Sequence, residues 1–532
     1  MIITELQQLY AAHPNVEGMC RLLKNNSVRH LYCSGLCASA ASLFSSVLVQ
    51  RAECPFVFIL GDLEEAGYFY HDLTQILGAE RVLFFPSSFR RAIKYGQKDA
   101  ANEILRTEVL SRLQKGEEGL CVVTCPDALA EKVVSRKELG DKTLKLHTGE
   151  KVDMDFVTEV LRSYGFEYVD YVYEPGQYAV RGSIIDVFSF SSECPFRIDF
   201  FGDEVESIRT FEVESQLSKE KKEDIVIVPD LSRSLEQGGN GGMVSFLDFL
   251  RPDTLLAMRD FLWLRERIQA VHDESLTAAA IAAREAEENG AISLEGKLID
   301  GGEFTLRALD FRRMEFGTKP TGTPDATVSF STAAQPIFHK NFDLVAESFQ
   351  DYLARNYTLY ICSDSLKQTD RIRAIFEDRG DNISFTPVER TLHEGFADDT
   401  LRLCIFTDHQ LFDRFHKYNL KSDKARSGKV ALSLKELNQF TPGDYVVHTD
   451  HGVGRFTGLV RIPNGDTTQE VMRLVYQNDD VVFVSIHSLH KVSKYKGKEG
   501  EAPRLNKLGT GAWEKLKDRT KTKIKDIARD LI

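Results

Sequence analysis

The sequence predicts a multidomain protein of mixed α/β and α+β class. Its 532 residues leave room for three to five domains of ordinary size. In the N-terminal part, apolar runs of strand length alternate with helical patterns, which is typical of a parallel sheet covered by helices. Further along the chain, short strand-like segments are separated by turn signals, which favours antiparallel sheets.

The first 144 residues are predicted to form an α/β domain. Its candidate strands lie at residues 28–33, 56–60, 82–85 and 120–125, and its candidate helices lie at 40–49, 63–77 and 100–113. Residues 231–318 return to helical patterns, including an Ala/Glu-rich stretch at 276–289, and are assigned to the same domain. We therefore expect the chain to leave this domain and come back to it.

The remaining segments differ in character from this domain and from one another. Residues 145–230 combine a helical pattern at 156–164 with strands bounded by turns, which predicts a small α+β domain. After a Pro/Gly-containing linker at 319–324, the sequence predicts a second α/β domain at 327–412, a basic linker at 413–437, a small SH3- or Tudor-like β-barrel at 438–505 and a basic helix at 506–532. The barrel is predicted from short strands and the hairpin signal Asn464-Gly465.

Charge is unevenly distributed along the chain. The formal net charge is −13, but residues 491–532 hold thirteen Lys/Arg against six Asp/Glu, so this end carries +7 and the first 490 residues carry −20. A basic end on an acidic chain indicates contact with an acidic partner such as nucleic acid. From charge alone, a solvated helical tail is the better interpretation.

Cysteine usage and hydropathy indicate the compartment. The nine cysteines are an odd number, and four of them lie inside apolar strand-like runs, which favours a reducing environment. There is no signal-peptide pattern and no apolar run of ~18 residues, so we expect no membrane span and a cytoplasmic location.

A loop after the first candidate strand has the outline of a phosphate-binding loop without its chemistry. The stretch GLCASAAS, from Gly35 to Ser42, keeps the first Gly and the final Ser of the pattern G-x-x-x-x-G-K-[ST]. Ala40 replaces the second Gly, and Ala41 replaces the Lys that would hold the β- and γ-phosphates. The best candidate for an acidic Mg²⁺ partner, Asp260, stands alone where a pair is usual. From this stretch we expect an ordinary strand-turn-helix without ATP hydrolysis.

The strongest candidate for a metal site is the pair His448 and His451. At positions i and i+3 they would fall on opposite faces of a strand, so a turn is the better interpretation. The sequence accordingly predicts neither a catalytic residue nor a metal ligand.

Two candidate strands, residues 178–188 and 196–201, carry the most informative surface. In the second strand the apolar residues share one face, whereas Arg197, Asp199 and Phe201 share the other. We expect the charged face to meet solvent, so that its arginine contributes little to stability. An aromatic residue beside an Arg is typical of a protein-binding hot spot. The alternative is that Phe201 packs under a neighbouring loop.

These strands belong to longer stretches that resemble a known module. Residues 174–188 (EPGQYAVRGSIIDVF) and 195–211 (PFRIDFFGDEVESIRTF) are similar to the UvrB-homology module that the excinuclease component UvrB shares with the Mfd family of bacterial transcription-repair coupling factors. Residues 443–458 (GDYVVHTDHGVGRFTG) resemble the CarD-like, RNA-polymerase-interacting domain of that family, which UvrB lacks. Residues 505–513 (LNKLGTGAW) and 524–532 (IKDIARDLI) match the segment that leads into the family's motor.

The resemblance implies an adaptor that corresponds to the N-terminal part of the family. In that family the barrel binds the β subunit of stalled RNA polymerase, the UvrB-like module recruits UvrA, and the motor of the full-length protein acts on double-stranded DNA upstream of the polymerase. By resemblance, the UvrA-binding residues are Arg181, Arg197 and Phe201. By the same resemblance, the polymerase-binding residues are Ile462, Arg455 and Leu459.

The resemblance also implies that this chain lacks two properties of related proteins, a working nucleotide site and a hairpin that clamps damaged DNA. The loop from Gly35 to Ser42 is implied to be a relic of a nucleotide site, since Ala40 and Ala41 agree with the family's degenerate module. Residues 86–99 are too few for the aromatic hairpin with which UvrB clamps damaged DNA. ATP and Mg²⁺ are expected only for the motor, which we expect to be absent from this chain. We expect the chain to be a monomer without enzyme activity.

Two alternatives belong to other functional classes. One is a repair ATPase like the excinuclease component UvrB, against which Ala41 argues. The other is a CarD-like transcription regulator that acts through DNA binding alone, which the charge of the first 490 residues disfavours.

Overall fold

A computed structural model describes most of the chain, namely residues 1–52, 54–88, 100–213, 215–231, 243–285, 297–416, 418, 441–448, 450–464, 467–485, 492–495, 503, 505–508, 513 and 515. Its helices are α1 (Ile3–Tyr10), α2 (Pro14–Lys24), α3 (Ala40–Arg51), α4 (Leu63–Leu77), α5 (Ala100–Lys115), α6 (Pro126–Ala130), α7 (Arg136–Asp141), α8 (Met154–Ser163), α9 (Phe261–Glu285), α10 (Gly301–Ala308), α11 (Phe342–Ala354), α12 (Leu366–Arg379) and α13 (Asp408–Leu411).

The strands are distributed over four larger sheets and two short ladders. They are β1 (His30–Ser34), β2 (Phe56–Ile59), β3 (Val82–Phe85), β4 (Cys121–Thr124), β5 (Val133–Val134), β6 (Leu144–His147), β7 (Glu167–Tyr168), β8 (Gln177–Arg181), β9 (Ile184–Val187), β10 (Phe196–Phe201), β11 (Glu204–Phe211), β12 (Ser218–Lys222), β13 (Asp224–Ile227), β14 (Met243–Val244), β15 (Leu255–Met258), β16 (Arg312–Glu315), β17 (Ala326–Ser329), β18 (Thr332–Ala334), β19 (Thr358–Ser363), β20 (Thr386–Glu389), β21 (Phe396–Asp398), β22 (Leu403–Thr407), β23 (Tyr445–His448), β24 (Gly452–Asn464), β25 (Thr467–Val475), β26 (Val481–Ser485) and β27 (Val492–Lys494).

The largest sheet consists of seven parallel strands in the order β17-β1-β16-β15-β2-β4-β3. The strands β2 and β15 are buried along their whole length, as expected where helices cover both faces of a parallel sheet. Because β15 and β16 lie between β1 and β2, the chain returns to this sheet after the intervening residues have formed another one. The loops that follow the strands meet at their carboxyl ends, where open α/β sheets place their ligand sites.

The intervening residues form a six-stranded sheet in the order β12-β11-β10-β9-β8-β7. Strands β8 to β12 are antiparallel, and β7 joins β8 in parallel. One face packs on α8, whose Val157 and Leu161 share a core with Ile185 and Ile198 of the strands. The opposite face covers a smaller apolar cluster that includes Phe211, and it also carries the polar residues described below.

A third, mixed sheet has the order β18-β21-β22-β19-β20. Its residues Cys362, Phe396 and Ile405 belong to the same core cluster as the seven-stranded sheet, so the two α/β units are packed together. The N-terminal helix α1 also joins them, because the Tyr10 hydroxyl donates to Asp398 Oδ2 at 3.0 Å.

The last sheet is antiparallel throughout, with the order β26-β25-β24-β23-β27. Its core contains Val446, Phe456, Met472 and Val484. The antiparallel pairing agrees with the strands that the sequence predicted within residues 438–505, whereas their closure into an SH3- or Tudor-like barrel stays a prediction.

Three local assignments from the sequence differ from the structure. The predicted strand 178–188 is a hairpin of β8 and β9 that turns at Gly182, whose φ of +60° suits glycine. Strand β17, at the start of the predicted second α/β domain, pairs with β1 of the first sheet. The backbone of Asn464 pairs with Thr467 in the β24–β25 ladder, so Asn464 belongs to the strand and not to a turn as predicted.

His448 and His451 lie at the turn between β23 and β24, which is the interpretation that the sequence favoured. Their rings stack with centroids 4.6 Å apart across a turn, which confirms the turn interpretation. In the described residues, no group of His, Cys, Asp and Glu is arranged to hold a metal ion.

The same part of the chain contains no helix that is both long and apolar enough to cross a membrane. The predictions for 86–99, 413–437 and 506–532 fall largely outside the described residues.

Candidate functional site

A buried carboxylate organises the polar face of the six-stranded sheet. Asp186 on β9 is fully buried, and it pairs in register with Arg197 on β10. Arg197 donates from Nε to Asp186 Oδ1 at 2.8 Å and from a terminal nitrogen to Oδ2 at 2.9 Å. Arg181, at the end of β8, donates to the same Oδ2. Two guanidinium groups therefore compensate one buried charge.

Both guanidinium groups also lie over aromatic rings. The guanidinium carbon of Arg197 is 4.6 Å from the ring centroid of Phe211, and that of Arg181 is 5.0 Å from the centroid of Tyr171. The other terminal nitrogen of Arg197 donates to the carbonyl of Gln216 at 3.1 Å, which fastens the loop after β11. Hydrogen bonding to Asp186 raises the pKa of Arg197, so this side chain stays charged.

The outer part of the same face is open to solvent. Phe201, the last residue of β10, is 79% exposed, and Leu217, next to the carbonyl that Arg197 contacts, is 69% exposed. Between them in the sheet, Arg209 on β11 pairs with Asp199 at 3.2 Å. An exposed aromatic residue on a face where arginines are held in place has the composition of a protein-binding hot spot.

The structure confirms one expectation about this face and corrects another. Phe201 faces solvent, so it does not pack under a neighbouring loop. The side chain of Arg197, in contrast, is only 16% exposed, because it lies over Phe211 and is bound to Asp186 and the loop at Gln216. The expectation that the side chain of Arg197 meets solvent was therefore wrong. The sequence did contain a signal for the buried pairing of Arg197, namely the single carboxylate of Asp186 inside an apolar strand.

The three residues suggested for polymerase binding lie on one long strand, β24. Arg455 and Leu459 are exposed, and the backbone of Ile462 pairs with Gln469 three pairs from the end of the hairpin. The side chain of Ile462 lies outside the described residues. Strand β23 pairs with β24 only up to Arg455, so among the described strands residues 459–464 have β25 on one side alone.

The loop after β1 is occupied by protein groups where a phosphate would need free donors. Gly35 has a φ of +77°, and a Cβ there would lie 2.0 Å from the carbonyl oxygen of Phe330, so this glycine is required by a backbone contact. The N–H of Cys37 donates to Thr332 Oγ1 at 3.1 Å. Ser42, the position that would hold Mg²⁺, donates to Asp72 Oδ2 at 2.7 Å. Ala40 and Ala41 are buried and carry no polar group.

The pocket beside this loop is acidic. It has a volume of about 390 Å³ and is lined by five carboxylates, those of Asp62, Glu64, Glu65, Asp72 and Glu394. Burial raises the pKa of Asp72 to about 6, so this carboxyl is mainly ionised at neutral pH. The cation in the lining, Arg259, is paired with Glu65. This lining would repel a triphosphate.

Two backbone N–H groups from the loop before β21 of the third sheet bind side chains of the first α/β unit beside this pocket. The N–H of His393 donates to Asp72 Oδ1 at 2.7 Å, and that of Glu394 donates to Ser39 Oγ at 3.0 Å. Asp260, the candidate Mg²⁺ partner, instead accepts the N–H of Trp263 at 2.9 Å at the start of α9. The residues present do not fit a bound Mg²⁺–nucleotide.

The fold defines a multidomain protein in which two α/β units accompany a six-stranded sheet and a separate antiparallel sheet. Residues 144–232 match the family model of the UvrB interaction domain, and residues 440–496 match that of the CarD-like/TRCF RID domain. Over 94% of its length, the chain is similar to transcription-repair-coupling factors, with 24% identity to that of Bacillus subtilis (strain 168) and 25% to that of Staphylococcus aureus (strain bovine RF122 / ET3-1). It spans 48% of the length of each of these relatives.

Because Arg181 and Arg197 share the carboxylate of Asp186, we expect one of these arginines to matter for stability. Arg197→Ala should lower the free energy of local opening of β9 and β10 by about 2–4 kcal/mol, because removing one partner leaves the buried charge of Asp186 undercompensated. The control Arg209→Ala removes a partly exposed ion pair from the same face and should cost less than about 1 kcal/mol. Native-state hydrogen exchange of the two strands measures both values. Equal losses for the two variants would contradict the role assigned to Asp186.

Proposed function

We propose that the chain is an adaptor that joins two partners through separate modules: UvrA through residues 144–232 and the RNA polymerase β subunit through residues 440–496. The observation that carries the proposal is the exposed Phe201 on the face organised by Asp186, inside the UvrB interaction domain. The second module supports it, because it lies in a different sheet and presents exposed residues of its own. For a protein of the relatives' full length, we propose action on double-stranded DNA upstream of a stalled polymerase.

On the UvrA side, Phe201 would be the anchor and Arg181 a polar neighbour at its rim. Phe201 is free to enter a pocket on a partner, since its side chain is mostly exposed. Arg181 is partly exposed and is oriented by Asp186 and Tyr171, so it loses little rotamer freedom on binding. Arg197 acts mainly by holding this arrangement, because nearly all of its side chain is covered.

Truncation of the anchor is the clean test on this side. Phe201→Ala should weaken UvrA binding by about thirtyfold or more, as expected for a central aromatic contact worth about 2 kcal/mol. Its stability should stay within about 0.5 kcal/mol of the original chain, because an exposed side chain is removed. Phe156→Ala is the matched control, since Phe156 is 52% exposed on α8 of the same domain. If both variants bind UvrA as the original chain does, the site is misplaced.

On the polymerase side, the outer half of β24 would accept a strand of the partner. Among the described strands, residues 459–464 have a neighbour on one side only, so their remaining backbone donors and acceptors are available for edge pairing. Leu459 is exposed on this half, and Arg455 marks the point where β23 ends its pairing.

We expect Ile462→Arg to reduce the affinity for the β subunit of RNA polymerase at least about tenfold, because a long cation replaces an apolar residue in the pairing strand. Binding to UvrA should not change, since Phe201 lies in another sheet. Phe483→Ala, an exposed apolar residue on β26, is the control for nonspecific apolar contact. Isothermal titration with each purified partner gives the affinities. Retained affinity in Ile462→Arg with an unchanged circular dichroism spectrum would rule out this strand as the polymerase contact.

We further propose that the loop from Gly35 to Ser42 is a relic that neither binds nor hydrolyses ATP. The support is the loss of the Lys at Ala41 together with the acidic pocket beside it. In the presence of Mg²⁺, purified protein should show no ATP hydrolysis above a blank and no binding of a fluorescent ATP analogue. Hydrolysis that Ser42→Ala abolishes would instead favour a repair ATPase.

A further inference from the structure

The segment that leaves the third sheet lies across helix α4 of the first. This connector strap comprises residues 412–416 and Tyr418. The carbonyl of His416 accepts a hydrogen bond from the Tyr68 hydroxyl at 2.8 Å, and the Tyr418 ring meets the Tyr68 ring edge-on with centroids 4.9 Å apart. The strap therefore contacts α4 through its backbone and through a ring.

A glycine of α4 makes room for this contact. A Cβ at Gly67 would lie 2.3 Å from the Tyr418 ring, so no side chain fits there while the ring is in place. Glycine is otherwise unfavourable in a helix interior, where alanine would be preferred. The seat of Tyr418 thus depends on one residue of α4.

Four imidazoles from separate segments meet beneath the strap: His71 of α4, His393 of the loop before β21, His409 of α13 and His416 of the strap itself. The His416 ring stacks on His409 with centroids 4.4 Å apart, and it lies 5.0 Å from the His71 ring and 6.0 Å from the His393 ring. His393 in turn stacks on Tyr68 at 3.5 Å. The strap is the piece that closes this cluster.

The surroundings of the cluster favour the uncharged form of its four imidazoles. His71 Nε2, His393 Nδ1 and His416 Nδ1 are buried and have no hydrogen-bond partner among the described residues. Burial, followed by the neighbouring imidazoles, lowers the pKa of His71 to about 4 and that of His393 to about 3. Burial also lowers the pKa of His409 to about 4 and lowers that of His416.

The charged groups around the cluster do not supply the missing partners. From the loop after β19, Asp364 raises the pKa of His71, His409 and His416, but burial outweighs it. Asp408 of α13 pairs with Arg414 of the strap at 3.0 Å, and Glu394 Oε1 is 4.0 Å from His393 Nε2. On α4, Asp72 accepts the His393 N–H, and Glu64 acts on Tyr68. Protons added to the four rings would therefore repel one another inside a poorly hydrated site.

We propose that the connector strap is a releasable contact, seated on α4 while the four imidazoles are neutral and freed when they become protonated or when Tyr418 loses its seat at Gly67. Release would free about six or seven residues, which can extend the reach of the chain toward residues 440–496 by up to ~20 Å. If the two modules bind as proposed above, the strap sets how far apart their partners can stand. The release itself does not depend on either partner.

The direction of the pH effect follows from the lowered pKa values. Once the strap is released, the four imidazoles regain water and their pKa values return toward the usual value of about 6.5, whereas in the closed cluster burial holds each pKa lower. The seated strap therefore binds fewer protons. Its stabilisation is complete above about pH 6.5 and is lost as the pH falls toward about 4.

Hydrogen exchange of the full chain tests the seat first. The amides of Phe412 and Arg414 donate to the carbonyls of Asp408 and His409, so they report whether the strap is in place. Gly67→Ala should lower their protection factors at pH 7.5 by at least about tenfold, although alanine itself favours the helix. Gly18→Ala in α2 is the matched control, since a Cβ there meets nothing within 4 Å. Unchanged protection in Gly67→Ala would overturn the proposal.

The second arm varies pH, with protection factors corrected for the pH dependence of intrinsic exchange. Between pH 7.5 and 5.0 the strap of the original chain should lose protection by at least about tenfold, whereas β8 to β11 should keep theirs. The double variant His409→Phe/His416→Phe keeps two stacked rings without their titratable nitrogens and should lose markedly less. A strap that stays protected at pH 5.0, or a loss that is the same in the double variant, would overturn the role of the imidazoles.

Discussion

The carboxylate of Asp186 lies out of reach of water, so its charge must be compensated within the protein. Arg197 binds it through two hydrogen bonds from the neighbouring strand β10, and Arg181 adds a third from β8 on the other side of β9. This requirement ties β8, β9 and β10 together. Through Tyr171 and Gln216 it also fixes the two loops beside them. The exposed face around Phe201 is consequently arranged before any partner arrives, which reduces the entropy lost on binding.

The loop at the end of β1 makes internal contacts at the place where a nucleotide-binding sheet has its ligand site. In a nucleotide-binding sheet, the loop at the end of β1 would keep its backbone N–H groups and its hydroxyl free for phosphates. Here Thr332, Asp72 and the loop at His393 engage those groups, and the third sheet shares a core with the first. The same region thus contributes rigidity to the scaffold and gives the connector strap its seat on α4.

Much of the fold could be predicted from local pattern. The runs around residues 56–60 and 120–125 form strands because uninterrupted apolar residues suit a parallel sheet buried on both faces. The alternation in residues 196–201 correctly placed Phe201 on the solvent side. Alternation assigns a side chain to a face but does not tell whether a loop covers that face. For this reason the burial of Arg197 could not be predicted.

Contacts between segments that lie far apart in the sequence could not be predicted. The pairing of β17 with β1 joins residues nearly three hundred positions apart, and nothing in either strand specifies the other. The four imidazoles of the cluster come from two helices, a loop and the connector strap. Each is an ordinary histidine within its own segment. Asp186 carried a signal that was not used, because a lone acid inside the apolar strand Ile184–Val187 indicates a buried partner without telling which residue it is.

The central claim is that one chain can hold both partners at once through separate modules. It is tested most directly by immobilising the RNA polymerase β subunit and measuring how much UvrA is retained with and without the chain. The account predicts that UvrA is retained only when the chain is present. The amount of retained UvrA should saturate at the level at which each bound chain has bound UvrA once. Competition between UvrA and the β subunit for the chain, or no retention of UvrA although each binds the chain separately, would contradict the account.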